Sequence, residues 1–388
     1  MRQVSFVGQN DIQLLHGGAE FFPALIAAID AAQVEIYLET YIFTADETAE
    51  QVKQALARAA SRQVMVNVTV DWIGTGHRNC KLLAQELRAV GVVCRIFNPW
   101  FGRGIARMHR KLSVIDRKTA FLGGMNIVDD LRDDDNPALS LSAPRWDFGV
   151  RIEGPLVATI HWEAALHWAR MGSISWRTRW ATFREQQRPR TEENVEPVMA
   201  GLVVRDNLRN RRTIQHAYLK ALGGARESAM LANPYFAPGR RMKNGLASAA
   251  KRGIKVTLLL GVGQYKFQDV IARSYYPKLL KCGVRIVEYR KTQLHGKVAV
   301  VDDQWATVGS SNYDGFSLFV NQEANVVVRD ADFAQALRRH IEQGVADGVE
   351  VSLRDFDNIP LHKRIFYRFA YLVYKNFLRL ITWGKSAE

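Results

Sequence analysis

Apolar residues gather in short runs over the first part of the chain, at Val34 to Phe43, Val64 to Trp72, Val92 to Phe97 and Lys111 to Ile115. Each run has the length and the β-branched and aromatic content of a strand. Between them, Ala45 to Ala60 and Lys81 to Val90 set apolar positions at helical spacing among charged ones. Strands alternating with helices of these lengths predict an α/β layered sandwich. The pattern then restarts. Ala59-Ala60-Ser-Arg-Gln-Val-Met-Val is paralleled by Ala249-Ala250-Lys-Arg-Gly-Ile-Lys-Val, and Leu87-Arg-Ala-Val-Gly91-Val by Leu279-Leu-Lys-Cys-Gly283-Val. The chain therefore reads as two duplicated α/β/α sandwich domains, which places an active site at their interface.

Between the halves, the stretch from Phe183 to Pro197 is polar and almost without apolar residues, so it reads as the connection, with a boundary near residue 190. The expected domains are 1–190 and 191–350, followed by a tail of 351–388. From Leu361 onward, Lys and Arg recur every few positions among Phe, Tyr, Leu, Ile and Trp. That composition fits an amphipathic helix lying on an anionic membrane surface; a helix packed on the body with a basic outer face is the alternative. No uncharged apolar stretch approaches the roughly 18 residues a membrane span requires, and the first ten residues lack the apolar run of a signal peptide.

Two segments 186 residues apart carry the chemistry. His109-Arg-Lys111 leads to Asp116, Gly123, Gly124 and Asn126; His295-Gly-Lys297 leads to Asp302, Gly309, Ser310, Ser311 and Asn312, at identical offsets. On a strand, the two-residue step puts His109 and Lys111 on one face, and likewise His295 and Lys297. Two histidines meeting across a duplicated domain can divide labour. One neutral imidazole attacks phosphorus, while the other, protonated, donates to the leaving oxygen and later reverses its role. Two lysines supply fixed cations where charge builds on the phosphoryl oxygens, and Asn126, Asn312 and Ser311 add hydrogen-bonding groups beside them. A phosphodiester carries one negative charge, so this chemistry needs no metal or other cofactor, and no Asp, Glu, His or Cys cluster has ligand spacing. Asp116 and Asp302 stay among the candidate catalytic residues because the repeat fixes them. Their place before a polar turn also suits a structural role at a hairpin end.

Tyr41, in Glu39-Thr-Tyr41-Ile-Phe43, and Tyr235, in Asn233-Pro-Tyr235-Phe236, hold equivalent places at carboxyl ends of strands, where α/β sheets put their ligands. They are candidates for the substrate pocket, or else core tyrosines. Arg103, Arg107 and Arg110 are candidate phosphate contacts or plain surface charge.

Composition narrows the partner only by sign. At 388 residues and 47% hydrophobic, the chain can bury two cores. Its three cysteines are too few and too scattered for a disulfide framework, which points to a reducing compartment. A net charge of +14 implies an acidic partner, anionic lipid or nucleic acid.

The duplicated segments match, without a gap, the H-x-K-x4-D-x6-G-[GS]-x-N motif of the phospholipase D superfamily, which the chain resembles. Trp146-Asp147 and Asn321-Gln-Glu323 stand where that family puts an acidic residue behind each His. The resemblance thus implies that Asp147 and Glu323 orient and charge-stabilise the histidines, as the carboxylate of a triad does. Gly149 departs from the commoner pattern, and the loop from Asp129 to Ala143 is longer than its counterpart. Leu294 to Asn312, Ala232 to Gly239, and Asn98-Pro99 leading into Arg107-Met-His109 resemble bacterial cardiolipin synthases of the short type without amino-terminal membrane spans.

That likeness implies transfer of a phosphatidyl group between two phosphatidylglycerol molecules through a phosphohistidine, with His109 as nucleophile and His295 as general acid. It also implies a protein peripheral on the cytoplasmic face of the bacterial membrane. Hydrolysis of phospholipids and a nuclease of the same superfamily are the alternative activities; the basic aromatic tail argues for lipid over nucleic acid.

Overall fold

The computed structural model describes residues 4–133, 136, 138–172, 198–206, 210–314, 320–357, 372–373 and 376. The boundary expected near residue 190 and nearly all of the tail from Leu361 lie outside them.

The first half contributes strands β1 (Asp11–His16), β2 (Glu35–Thr40), β3 (Met65–Asp71), β4 (Val93–Phe97), β5 (Gly102–Ile105), β6 (Leu112–Ile115), β7 (Thr119–Gly123) and β8 (Phe148–Glu153). Its helices are α1 (Gly18–Ala31), α2 (Glu47–Ser61), α3 (His77–Ala89) and α4 (Leu156–Met171). The second half contributes β9 (Met199–Arg205), β10 (Ser228–Asn233), β11 (Lys255–Gly261), β12 (Arg285–Tyr289), β13 (Val298–Val301), β14 (Trp305–Gly309), β15 (Glu323–Arg329) and β16 (Val349–Val351). Its helices include α5 (Thr213–Gly224), α6 (Arg240–Lys251), α7 (Lys266–Leu280) and α8 (Ala331–Ala346).

The duplication is a duplication of topology. One sheet runs β1-β8-β7-β6-β2-β3-β4; the other runs β16-β12-β11-β10-β13-β14-β15-β9, the same order with one added edge strand. In each, the three strands joined by helices are parallel (β2-β3-β4 and β10-β11-β12), and the motif hairpin joins them antiparallel, with Leu38 opposite Ser113 and Leu231 opposite Ala299. Covered on both faces, β11 runs Val256-Thr-Leu-Leu-Leu260 as a near-continuous apolar stretch, whereas β3 alternates its valines with buried Asn67 and Thr69.

Helices form where a cap meets an apolar stripe. Asp46 caps α2 by accepting the Ala49 N–H at 2.9 Å, and Val52, Ala55, Leu56 and Ala59 form its buried face. Asp330 caps α8 in the same way through Phe333 at 2.8 Å. α1, α2 and α3 cover the outer face of the first sheet, and α5, α6 and α7 that of the second. The inner faces share one core with α4 and α8: Val114, Leu122, Phe148 and Val150 from one sheet meet Val298, Val300, Val308 and Val326 from the other. This common layer fixes the two halves against each other and so fixes what lies at its edge. Among the described residues no helix is long and apolar enough to cross a membrane.

Candidate active site

The motifs reach the site by leaving their own sheets. Met108 forms a parallel bridge with Gln322, His109 donates its backbone N–H to Gln322 O at 2.9 Å, and Gln322 returns one to Arg107 O at 2.8 Å. The second motif repeats the device. Leu294 bridges Trp146, and the His295 N–H donates to Trp146 O at 2.9 Å. Gln322 and Trp146 each stand one residue before an acid. Stitching each His segment to the opposite half therefore carries it to that half's carboxylate: His109 Nδ1 lies 3.0 Å from Glu323 Oε2, and His295 Nδ1 lies 2.5 Å from Asp147 Oδ2. With Nδ1 occupied, Nε2 is the reacting nitrogen of each ring.

His109 to Lys111 and His295 to Lys297 thus precede β6 and β13 rather than lying within them, a difference from the strand expected over Lys111 to Ile115. The bridges to the other half take the backbone N–H groups of His109, His295 and Gly296, while the Lys111 carbonyl still accepts from the Gly123 N–H of its own hairpin at 3.2 Å. Lys111 Nζ donates to the His109 carbonyl at 2.8 Å, and Lys297 Nζ donates to the His295 carbonyl. All four side chains are buried.

Burial sets the electrostatics. Loss of water, reinforced by the ammonium groups of Lys111 and Lys297, lowers the His109 ring to about 4, against the pull of Glu323. That Lys297 acts on His109 shows that both motifs share one field. Burial alone would raise the Asp147 carboxyl; the His295 ring and the Lys297 ammonium more than offset it and hold the group at about 2. Glu323 is likewise held below its ordinary range against its own burial by His109, Lys111 and the Ser310 hydroxyl. Both carboxylates stay charged, and the ring beside Glu323 stays neutral at neutral pH.

The motif glycines make room for the acids. A Cβ on Gly124 would fall 2.1 Å from Asp147 Oδ1, so only glycine lets that short side chain approach His295. The second copy carries Ser310 there, and its hydroxyl donates to Glu323 Oε2 at 2.5 Å. Asn126 Oδ1 accepts the Ile42 N–H at 3.3 Å, while Ser311 Oγ and Asn312 Oδ1 are buried without a hydrogen-bond partner, available to a ligand.

Other candidates are dispersed. Tyr41 sits at the site, with its ring edge-on to His109 at 4.8 Å and Lys111 Nζ 5.1 Å from its face. Tyr235 instead donates to Gln264 Oε1 at 3.1 Å and lines a cavity of about 350 Å³, which Leu294, the neighbour of His295, also lines. Asp116 and Asp302 are not brought to the site. Each lies in the turn after the motif strand, at the end remote from the His, and accepts backbone N–H groups there: Gln33, Val34 and Glu35 for Asp116, and Arg226, Glu227 and Ser228 for Asp302. Of the two roles the sequence offered, this placement fits the structural one: their carboxylates tie the hairpin to the start of β2 or β10.

Arg110 also turns away from any headgroup. It forks onto Glu39 at 2.8 and 2.6 Å, and His167 meets the same carboxylate at 2.8 Å. This buried ion cluster behind the first motif has no counterpart in the second, where Gly296 and Ala232 occupy the equivalent places. Sequence reasoning missed it, since Glu39 reads as an ordinary strand residue. The one signal was a Glu inside an apolar run.

A family model described as "Cardiolipin synthase, PLD-like domain" matches residues 25–132 and 218–345, one stretch in each half. The chain belongs to this family. "Cardiolipin synthase B" of Escherichia coli (strain K12) is 37% identical over 388 residues, covering 96% of this chain and 90% of that protein. "Cardiolipin synthase" of Clostridium perfringens (strain 13 / Type A) is 28% identical over 372 residues, covering 93% and 76%. The crystal structure of phosphatidylserine synthase from Haemophilus influenzae Rd KW20 superposes with a TM-score of 0.70 at 13% identity, over 98% of this chain and 97% of that one. At that identity the likeness establishes the fold alone, and it is the duplicated two-sheet fold described above.

Proposed function

We propose that the protein is a cardiolipin synthase that transfers a phosphatidyl group between two phosphatidylglycerol molecules. The observation that carries the reading is the crossed pair, His109 on Glu323 and His295 on Asp147, around two buried lysines. His109, held neutral and with Nδ1–H fixed by Glu323, attacks phosphorus through Nε2. The P–O bond to the first headgroup breaks, His295 gives its proton to the departing oxygen, and glycerol leaves. The terminal hydroxyl of a second phosphatidylglycerol then loses its proton to His295 and attacks the phosphohistidine. The N–P bond breaks, and cardiolipin forms. Every atom and proton is accounted for without a cofactor.

Lys111 and Lys297 neutralise the phosphoryl oxygens during both steps, and Ser311, Asn126 and Asn312 hydrogen-bond around them. Each ring is held through Nδ1 by a buried carboxylate, His109 by Glu323 and His295 by Asp147; the neutral His109 takes the nucleophile role, which leaves the acid role to His295. The cavity that includes Tyr235 is lined by Leu294, the neighbour of His295, and serves in this reading as the place for the leaving and entering alcohols; Tyr41 orients His109. The working division is 1–190, 191–350 and a tail of 351–388, with the protein peripheral on the cytoplasmic face of the bacterial membrane. The basic residues of that tail engage anionic lipid.

Incubation of the purified protein with phosphatidylglycerol vesicles, with products read by mass spectrometry, tests the reading. Cardiolipin and glycerol in equal amounts are expected. Phosphatidic acid as the sole phospholipid product would make the protein a hydrolase and overturn the transfer step.

A further inference from the structure

The approach to His109 passes through a segment whose side chains do not behave as a soluble surface would have them. Trp100 and Phe101 are 69% and 51% exposed, and Ile105 is 45% exposed. Their rings cluster with those of Trp72 and His77: Trp72 lies 5.5 Å from Trp100 and 5.1 Å from Phe101, and His77 lies 4.9 Å from Trp100. Lys81 Nζ stands 5.8 Å from the Trp100 ring. Contiguous exposed aromatic surface of this kind marks an interaction site rather than scattered surface apolarity.

The backbone holds the rings outward against its own preference. Asn98, Trp100 and Phe101 have φ of 55°, 56° and 55°, a region uncommon for residues other than glycine and unfavourable for bulky ones. The arrangement persists because the loop is braced. The Asn98 amide donates to Gly104 O and Ala106 O, both at 2.8 Å. Asp71, next to Trp72, accepts the Met108 N–H at 2.7 Å. The brace therefore ties the aromatic cluster to the residue that precedes His109.

We propose that this knob, Trp72, Trp100, Phe101 and Ile105 with Lys81, is a surface by which the enzyme docks on anionic lipid, in addition to the tail. The inference rests on the proposed lipid activity and adds a surface that serves it. Tryptophan, phenylalanine and isoleucine beside a lysine form the composition that lies at a bilayer interface. The chain's charge of +14 complements anionic headgroups. Only Ala106, Arg107 and Met108 separate Ile105 from His109, so a knob seated in the headgroup layer brings the nucleophile to the lipid phosphate while the acyl chains stay in the bilayer.

The test uses the full-length protein and its Trp100→Ser/Phe101→Ser variant, with vesicles of phosphatidylglycerol and phosphatidylethanolamine and with dispersed short-chain phosphatidylglycerol. The expected result is vesicle binding weakened by about 30-fold, which corresponds to ~2 kcal/mol, with turnover of the dispersed substrate unchanged. In the parent protein, brominated lipid quenches tryptophan emission; a Trp100→Phe variant should keep its binding and lose the share of that quenching that Trp100 carries. Unchanged vesicle binding in the double variant would overturn the proposal. So would a shift from dimer to monomer in sedimentation, which would make the knob a contact between copies. Loss of turnover on dispersed substrate in the parent protein would instead count against the lipid activity itself.

Discussion

Replacing Glu323 by Gln should disable the first chemical step and spare the second, because its partner is the His of the other half. Glu323 accepts from His109 Nδ1 at 3.0 Å and from Ser310 Oγ at 2.5 Å. An amide keeps one accepting oxygen but turns an N–H₂ toward the cluster, which favours the His109 tautomer protonated on Nε2. That tautomer has no lone pair for phosphorus. The wrong tautomer in a comparable triad lowers turnover by about 10⁴, and loss of a single acid-base group by about 10² to 10⁴. A fall of about 10³ is therefore expected.

The assay is a short-chain phosphatidyl ester of p-nitrophenol, whose leaving group needs no proton. Formation of the phosphohistidine then appears as a burst that depends on His109 and not on the acid. Glu323→Gln and His109→Ala should lose the burst. Asp147→Asn and His295→Ala should keep it and lose only transfer to the alcohol. A burst that survives in Glu323→Gln and disappears in Asp147→Asn would refute the crossed assignment and the order of the two histidines together.

Other outcomes follow from the same geometry. The acid limb of kcat/KM should fall near pH 4 rather than 6.5, because His109 acts only when neutral and burial lowers it to about 4. For the same reason the unfolded chain takes up this proton first, so His109 favours the fold above pH 6.5 and loses that contribution as pH falls toward 4; acid titration of stability and rate in parent and His109→Gln checks both. Asp302→Ala should lower the midpoint of thermal unfolding while leaving KM unchanged, since it removes bonds to Arg226, Glu227 and Ser228; three partly solvated bonds suggest about 1–3 kcal/mol, and a changed KM with normal stability would return Asp302 to the site. Activity should survive EDTA, and abolition reversed only by a divalent ion would refute the charge balance set by Lys111 and Lys297. Truncation from residue 361 should weaken sedimentation with anionic vesicles and leave the body folded, and unfolding would make the tail part of the core.

Much of the fold was legible because a duplicated chemistry cannot drift: the spacing from His109 to Asn126 recurs from His295 to Asn312, and the strand and helix pattern around it recurs too. What the pattern did not contain was anything set by contacts across the halves. Which acid serves which His depends on the bridges from Met108 to Gln322 and from Leu294 to Trp146, and backbone bonds between distant segments leave no periodicity. The strand expected from Lys111 starts a residue later, at Leu112. Asp116 and Asp302 could be read as catalytic or as hairpin-end groups because they repeat, and a repeated hairpin needs repeated ties as much as a repeated site needs ligands. Arg110 could be read as a phosphate contact or as surface charge until Glu39 and His167 enclosed it. Tyr41 and Tyr235 hold equivalent places in sequence and unequal ones in space, since the second half spends its tyrosine on Gln264 and the neighbouring cavity.

The central claim is a covalent intermediate on one particular histidine. Rapid mixing with phosphatidylglycerol, an alkaline quench that preserves phosphohistidine, and peptide mapping by mass spectrometry test it directly. The account predicts a phosphatidyl adduct on the peptide that contains His109, absent from the Glu323→Gln variant. An adduct mapped to His295, or steady turnover with no adduct on either histidine, would contradict it.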